Sequence, residues 1–314
     1  MTPRVGAPPF VQFRPWRRVW LAAALIALVF AVGGAAAREA VERGKYLFRA
    51  AGGCSCHTDV KRGGAFLAGG RALETPFGTF YSPNITPDSE TGIGGWSIAD
   101  FTRAMRDGVA PDGGHYFPAF PYTAFTGIAD VDLADMKAYL DTVPPVRRRN
   151  TPHDVRPPFA WRFMLAPWKW LFFERGPFRP DPERPASWNR GAYLATALAH
   201  CGECHTPRNF LGGLDGGLWF AGTGNGPEGR RVPNITPDVA TGIGRWSARD
   251  VMDLLETGFK PDFDNIQGPM AEAIEHGYKY LSESDRAAIA EYVLTRPPIE
   301  NRVAPERRQA SPYE

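Results

Sequence analysis

Cys201-Gly202-Glu203-Cys204-His205-Thr206-Pro207 is the stretch on which the reading of this chain turns. Two thiols sit about one helical turn apart and an imidazole follows the second directly, the C-x-x-C-H spacing of covalent c-type haem attachment. Thiols so placed can add to the two vinyl groups of the porphyrin, and the histidine is then held beneath the iron as its proximal ligand. A zinc site would need two further ligands, yet beyond its two cysteine clusters the chain has no cysteine and only scattered histidines. A redox dithiol of the thioredoxin type belongs at a βα junction, and no βαβ pattern surrounds this one. The sixth iron ligand is expected from Met270 in Gly268-Pro269-Met270, shortly ahead of a helix start at Ser282. His with Met raises a haem's reduction potential; the competing reading of Met270 is core packing.

Working outward, the surroundings of this motif occur twice. Ser82-Pro83-Asn84-Ile85-Thr86-Pro87-Asp88, Thr91-Gly92-Ile93-Gly94 and Trp96-Ser97 recur at an offset of 150 as Val232-Pro233-Asn234-Ile235-Thr236-Pro237-Asp238, Thr241-Gly242-Ile243-Gly244 and Trp246-Ser247. Upstream, Arg43-Gly44-Lys45-Tyr46-Leu47 matches Arg190-Gly191-Ala192-Tyr193-Leu194 at 147, and Tyr139 with Pro144-Pro145 matches Tyr292 with Pro297-Pro298 at 153. Each copy reads as a short helical unit: a helix around Tyr46 or Tyr193, a Gly/Pro-rich loop, a helix capped by Ser97 with Asp100 or Ser247 with Asp250, and a closing helix. Ser282 and Asp285 repeat the cap, and Ile289, Tyr292 and Val293 form an apolar stripe answered in copy one by Leu133, Met136, Tyr139 and Leu140. So little apolar sequence per copy makes a thin core, which a large flat cofactor would fill. Asn84 and Asn234 are expected to tie loops by hydrogen bonds.

Copy one departs twice from copy two. Its cluster is Cys54-Ser55-Cys56-His57, one residue shorter: the offset is 147 through Cys54 and 148 from Cys56 to Thr58. Both thiols and the histidine survive, which reads as a shortened haem site on Cys54, Cys56 and His57; the alternative is a decayed copy that has lost its haem. On the distal side Met270 falls opposite Phe120, which cannot ligate iron. His115, opposite Asn265, is the candidate axial ligand specific to copy one, while Met105 and Met136 fall opposite Leu255 and Ile289 and read as core. An iron left open could bind small molecules, whereas a six-coordinate iron passes electrons.

Composition sets the compartment and excludes a partner class. Lys plus Arg is 36 against 34 acids, but Arg4, Arg14, Arg17 and Arg18 lie in an acid-free leader, so the remainder carries a small acidic excess. Nucleic acid is not an expected partner. Val19 to Ala37 is an uncharged run of 19 residues ending in small residues. It reads as an export signal, either cleaved near Ala35 to Ala37 or retained as a membrane anchor. Either places the body outside the cytoplasm, on the periplasmic side of a bacterial membrane.

The two Asn-Ile-Thr-Pro-Asp blocks, the Cys201 to Pro207 run, Pro118-Ala119-Phe120-Pro121-Tyr122 and Gly268-Pro269-Met270-Ala271-Glu272 together resemble the bacterial dihaem cytochromes c. Among these the resemblance is closest to the cytochrome subunits of membrane-bound alcohol, gluconate and fructose dehydrogenases, and it covers roughly Val41 to Pro298. Those subunits carry three haem motifs and a methionine where this chain has Phe120, so the dihaem carriers are the nearer comparison. The resemblance implies an all-α protein with two tandem cytochrome c domains and two covalently attached haems. It also implies electron transfer from a dehydrogenase or respiratory donor towards quinone or a terminal oxidase.

The expected organisation is a signal or anchor over residues 1–37, domains over 38–146 and 188–300, a Pro/aromatic-rich linker over 147–187 and a tail over 301–314. The linker's aromatics either pack between the domains or rest on the membrane. Arg147-Arg148-Arg149 reads as a solvated stretch that could steer an acidic partner. Two rivals stand beside the carrier: a haem enzyme, peroxidase-like or thiosulfate-oxidising, with an open iron in copy one, and a monohaem carrier with a haem-free first domain. No Ser/His/Asp or paired-carboxylate constellation marks another chemistry.

Overall fold

The computed structural model describes residues 34–53 and 55–303, with the backbone alone for Ser55. Cys54, most of the expected leader and residues 304–314 of the tail lie outside the described residues. The chain is mostly helical. Helix α1 (residues 34–50) is followed by α2 (Ile98–Asp107), α3 (Tyr122–Phe125), α4 (Asp130–Leu140), α5 (Leu165–Phe172) and α6 (Ala186–Tyr193); α6 runs into a π turn at Leu194–Leu198. Then come α7 (Cys201–His205), α8 (Ala248–Thr257), α9 (Pro269–His276) and α10 (Glu283–Leu294). Among the described residues no helix is long and apolar enough to cross a membrane.

A small sheet accompanies the helices. β1 (Ala72–Thr75), β2 (Gly78–Tyr81) and β3 (Asp154–Val155) pair antiparallel in that order. Thr79, Phe80 and Tyr81 are strand-prone, and Pro76-Phe77 supplies the two-residue turn. β3 comes from the linker. Gly78 sits at φ 132, and a Cβ there would lie 2.4 Å from the Asp154 carbonyl oxygen.

The repeated sequence blocks build matching local structures. Ser97 with Asp100, and Ser247 with Asp250, form full capping boxes on α2 and α8. Asn84 donates to Thr91 Oγ1 and the Val146 carbonyl; Asn234 donates to Thr241 Oγ1 and the Ile299 carbonyl. Each asparagine side-chain oxygen also accepts from the Thr86 or Thr236 amide and hydroxyl. Both loops are thereby pinned to the chain leaving the closing helix.

Gly44 and Gly191 mark where the first and last helices of each copy touch. A Cβ would lie 1.8 Å from the Asp135 oxygen at Gly44 and 1.9 Å from the Ala288 oxygen at Gly191. The obstacle is backbone, so no side chain can swing aside. Overpacking ordinarily costs about 1–3 kcal/mol, occasionally more; we expect Gly191→Ala to reach or exceed the top of that range, read as a depressed melting temperature or loss of soluble folded protein.

The halves meet through reciprocal contacts. Tyr46 OH donates to Asp285 (2.6 Å) and accepts from the Ser282 amide (3.0 Å); Tyr193 OH donates to Asp132 (2.5 Å) and accepts from the Ala129 amide (3.1 Å). Ser282 and Ala129 are the N-cap residues of α10 and α4, so each tyrosine seals the other half's closing helix in the manner of a two-fold interface. The third cap is accordingly half of what the sequence suggests. Ser282 accepts from the Asp285 amide, but the Asp285 carboxylate turns to Tyr46 and Arg190.

Burial alone would raise the Asp285 carboxyl, but hydrogen bonds from Arg190 and Tyr46 and the Arg190 charge outweigh it and hold the group below the usual carboxylate range. The stability gained is present above the unfolded carboxyl's value of about 4 and is lost as pH falls through the lower folded value. Wild-type melting temperature should therefore drop on the acid side of about pH 4, and Asp285→Asn should start lower and flatten that limb.

Residues 147–187, the expected linker, contact both halves. Lys169 donates to the Asp107 and Gly108 carbonyls, Trp168 donates to the Leu211 carbonyl, and the Phe178 amide donates to the Gly127 carbonyl. Of the other aromatics in this stretch, Phe172 packs against Trp168 and Gly213 and Phe173 against Tyr122, while Phe159, Trp161, Phe163 and Trp170 are exposed.

Candidate functional site

Thr206 leaves α7 in extended backbone, and His205 at the end of that helix lies against the loop that carries the Asn-Ile-Thr-Pro-Asp block. His205 Nδ1 lies 2.9 Å from the Pro233 carbonyl oxygen, and His57 Nδ1 lies 2.8 Å from the Pro83 carbonyl oxygen. A carbonyl oxygen can only accept, so each Nδ1 carries a proton, and in the neutral imidazole this tautomer leaves the lone pair on Nε2. The backbone repeats the match: the Gly222 amide donates to the His205 carbonyl at 2.7 Å, and the Gly69 amide to the His57 carbonyl at 2.8 Å. A Cβ at Gly222 or Gly69 would strike the backbone at Pro233-Asn234 or Pro83-Asn84. These two glycines let the histidine turn and the proline loop close on each other. Such outer bonds fix the tautomer and orientation of a metal-binding imidazole.

Both histidines line one cavity of about 1790 Å³ that runs through the two halves. Cys56, Cys201 and Cys204 line it as well, as do Met270, Phe120, Met105 and Met136. A pocket for one small ligand ordinarily holds about 300–1,000 Å³, so this space suits two large flat groups. Burial pushes the Cys201 thiol up to about 12 and the Cys204 thiol up to about 11. Reactive redox thiols have the opposite character, with values pulled down in electropositive surroundings. Burial also lowers His205, which keeps it neutral, the form that ligates metal. Neutral thiols, a tautomer with Nε2 left open and an apolar wall fit a covalently held haem. Among the described residues no three His, Cys, Asp or Glu side chains gather as a metal-ion site.

The structure brings Met270 to the cavity on the first turn of α9 and puts Phe120 at the matching place in copy one. The register is set by paired bridges, Val109 with His115 and Phe259 with Asn265, each followed by an amide bond, Tyr116 to Gly108 and Ile266 to Gly258. His115 is not brought there. It is absent from the cavity wall, and its Nδ1 accepts from Lys169 Nζ at 3.0 Å, which leaves the proton on Nε2. Burial and the facing Lys169 charge lower His115, and burial pulls Lys169 down to about 8. His115 thus faces Lys169, whereas Asn265, its counterpart on the same bridge in copy two, lines the cavity.

Several neighbours of the site are not legible from the motif. Arg71 of copy one lines the cavity, pairs with Glu272 two residues beyond Met270, and reaches Glu228 at 3.3 Å. It ties α9 to the other half. His200 adopts a left-handed backbone (φ 44) where copy one has Gly53 (φ 60). Its Nδ1 is buried without a hydrogen-bond partner and its ring lies 5.3 Å from Phe125 of the other half. The Pro83 and Pro233 carbonyls could have been found, because both open the repeated Asn-Ile-Thr-Pro-Asp blocks.

A helical chain that points paired thiols and tautomer-fixed histidines into a shared apolar cavity has the design of a c-type cytochrome. No protein-family model matches it. The diheme cytochrome c-type protein of Cereibacter sphaeroides is 45% identical over 82% of this chain and 86% of the relative. A nicotinate dehydrogenase subunit from Pseudomonas putida is 43% identical over 89% of this chain and 23% of the relative. The fructose dehydrogenase cytochrome subunit of Gluconobacter japonicus is 42% identical over 83% of this chain and 53% of the relative. The chain belongs to the dihaem c-type cytochromes. It spans most of the first of these relatives and about half or less of the other two.

Proposed function

We propose that the chain is an exported electron carrier with two tandem cytochrome c domains, residues 38–146 and 188–300, joined by the linker at 147–187. In the second domain Cys201 and Cys204 hold the haem, with His205 and Met270 as axial ligands. In the first, Cys54 and Cys56 hold it and His57 is the proximal ligand. The observation that carries this reading is the matched pair of histidine-to-proline-carbonyl bonds opening on one cavity. When bound, each haem supplies an iron that cycles between ferric and ferrous states. The chain's own residues orient the imidazoles, exclude water with an apolar wall and set the potentials through ligation and burial.

The donor we propose is a dehydrogenase, since relatives are named as cytochrome subunits of fructose and gluconate dehydrogenases and as a nicotinate dehydrogenase subunit. The acceptor is a quinone pathway or a terminal oxidase, and the work is done on the periplasmic side of the membrane. Exposed Trp161, Phe163 and Trp170 offer a surface for the membrane. Deleting the gene in its host should abolish oxygen uptake driven by one of fructose, gluconate, ethanol or nicotinate while leaving that dehydrogenase active with an artificial dye. Unchanged uptake with all four would overturn the dehydrogenase link.

A further inference from the structure

The distal loops of the two halves carry the same bridge and amide bond at the same register yet differ in chemistry at two positions facing the cavity. Opposite Met270 stands Phe120, which has no lone pair to give an iron. Opposite Ile266 stands Tyr116, which brings a hydroxyl where copy two has only hydrocarbon. Both Tyr116 and Phe120 line the cavity, with their rings edge to face at 5.6 Å. Phe120 is held in turn against Phe125 at 5.7 Å. Met105 and Met136 reach the same cavity but stand opposite Leu255 and Ile289, which also line it in copy two, so these are wall positions. His115 is committed to Lys169.

Removing a ligand and adding a hydrogen-bond donor on the distal side are the two changes that turn an electron-transfer haem towards binding small molecules. We propose that the copy-one site is a binding site for a neutral diatomic ligand, taken on the iron face that Phe120 leaves without a protein ligand and hydrogen-bonded by Tyr116. The inference rests on the reading that copy one carries a haem on His57. Tyr116 is the specificity-determining residue and Phe120 the one that keeps the site open; the second haem, closed by Met270, does not bind the ligand.

The test is carbon monoxide added to the reduced, fully matured protein, with haem counted per chain by the alkaline pyridine spectrum. We expect two haems per chain and carbon monoxide on half of them. Phe120→Met should abolish the binding and add a second far-red sulfur-to-iron band. Tyr116→Phe should leave the stoichiometry alone, shift the bound ligand's C–O stretch and speed its dissociation. Two haems with no carbon monoxide bound would overturn the proposal while sparing the dihaem reading; one haem per chain would overturn both. Binding that survives Phe120→Met, or that appears only on Met105→Leu or Met136→Leu, would also overturn it.

Discussion

The double variant Cys201→Ala, Cys204→Ala is expected to lose the native structure of its second half. Phe220, Leu194, Leu198, Ile289 and Val293 are buried in the cluster that walls the cavity. An unfilled void in a core costs about 24 cal/mol per Å³. For a cavity of about 1790 Å³ shared between two sites, even half of it kept dry would cost on the order of 20 kcal/mol. A domain's whole stability is about 5–15 kcal/mol, so the wall cannot stay in place around nothing. Without the thioether bonds a haem would be held by ligation and packing alone and should be lost on purification. Limited proteolysis should then cut the Gly-rich loop between Pro207 and Trp246, and the far-UV helical signal should fall. A variant with wild-type melting temperature and protease resistance would show that the chain fills its own core.

Met270→Leu should lower the potential of one haem by a few tenths of a volt, within the range of about 0.8 V that axial ligands span. Leucine matches methionine in volume and ordinarily costs less than about 1.5 kcal/mol, so the fold should survive. The variant should also lose the far-red sulfur-to-iron band of the oxidised protein. Met105→Leu, on the cavity wall of the other half, should leave both readouts unchanged. Replacing Arg71 by Gln gives a graded version: it releases Glu272 and the first turn of α9 without touching the sulfur, and should weaken the band rather than abolish it. Persistence of band and potential in Met270→Leu would remove Met270 from the coordination sphere.

Much of this arrangement is readable in the sequence because the chain states it twice. Caps at Ser97 and Ser247, loop ties at Asn84 and Asn234, and the opposition of Phe120 to Met270 all follow from the repeat. What the repeat hides are contacts that join residues far apart. Tyr46 and Tyr193 look like ordinary helix residues until the halves are docked, and then each caps the other half's closing helix. His115 shows the limit from the other side. Its loop position reads as that of a ligand, but Lys169 lies 3.0 Å from its Nδ1, and nothing local to residue 115 announces that. The sheet is not legible in the sequence because two of its strands are only 4 residues long and the third, Asp154–Val155, lies about 70 residues further along the chain. Strands so short leave no alternating pattern to read.

The most direct test of two covalent haems on one chain is the intact denatured mass of the full chain matured in a host with the c-type haem attachment machinery. The expected mass is chain plus two haems, which requires the shortened Cys54-Ser55-Cys56-His57 cluster to be used, with or without residues 1–37 attached. A mass of chain plus one haem would leave the first half without its covalent cofactor, and a bare chain mass would contradict the cytochrome reading altogether.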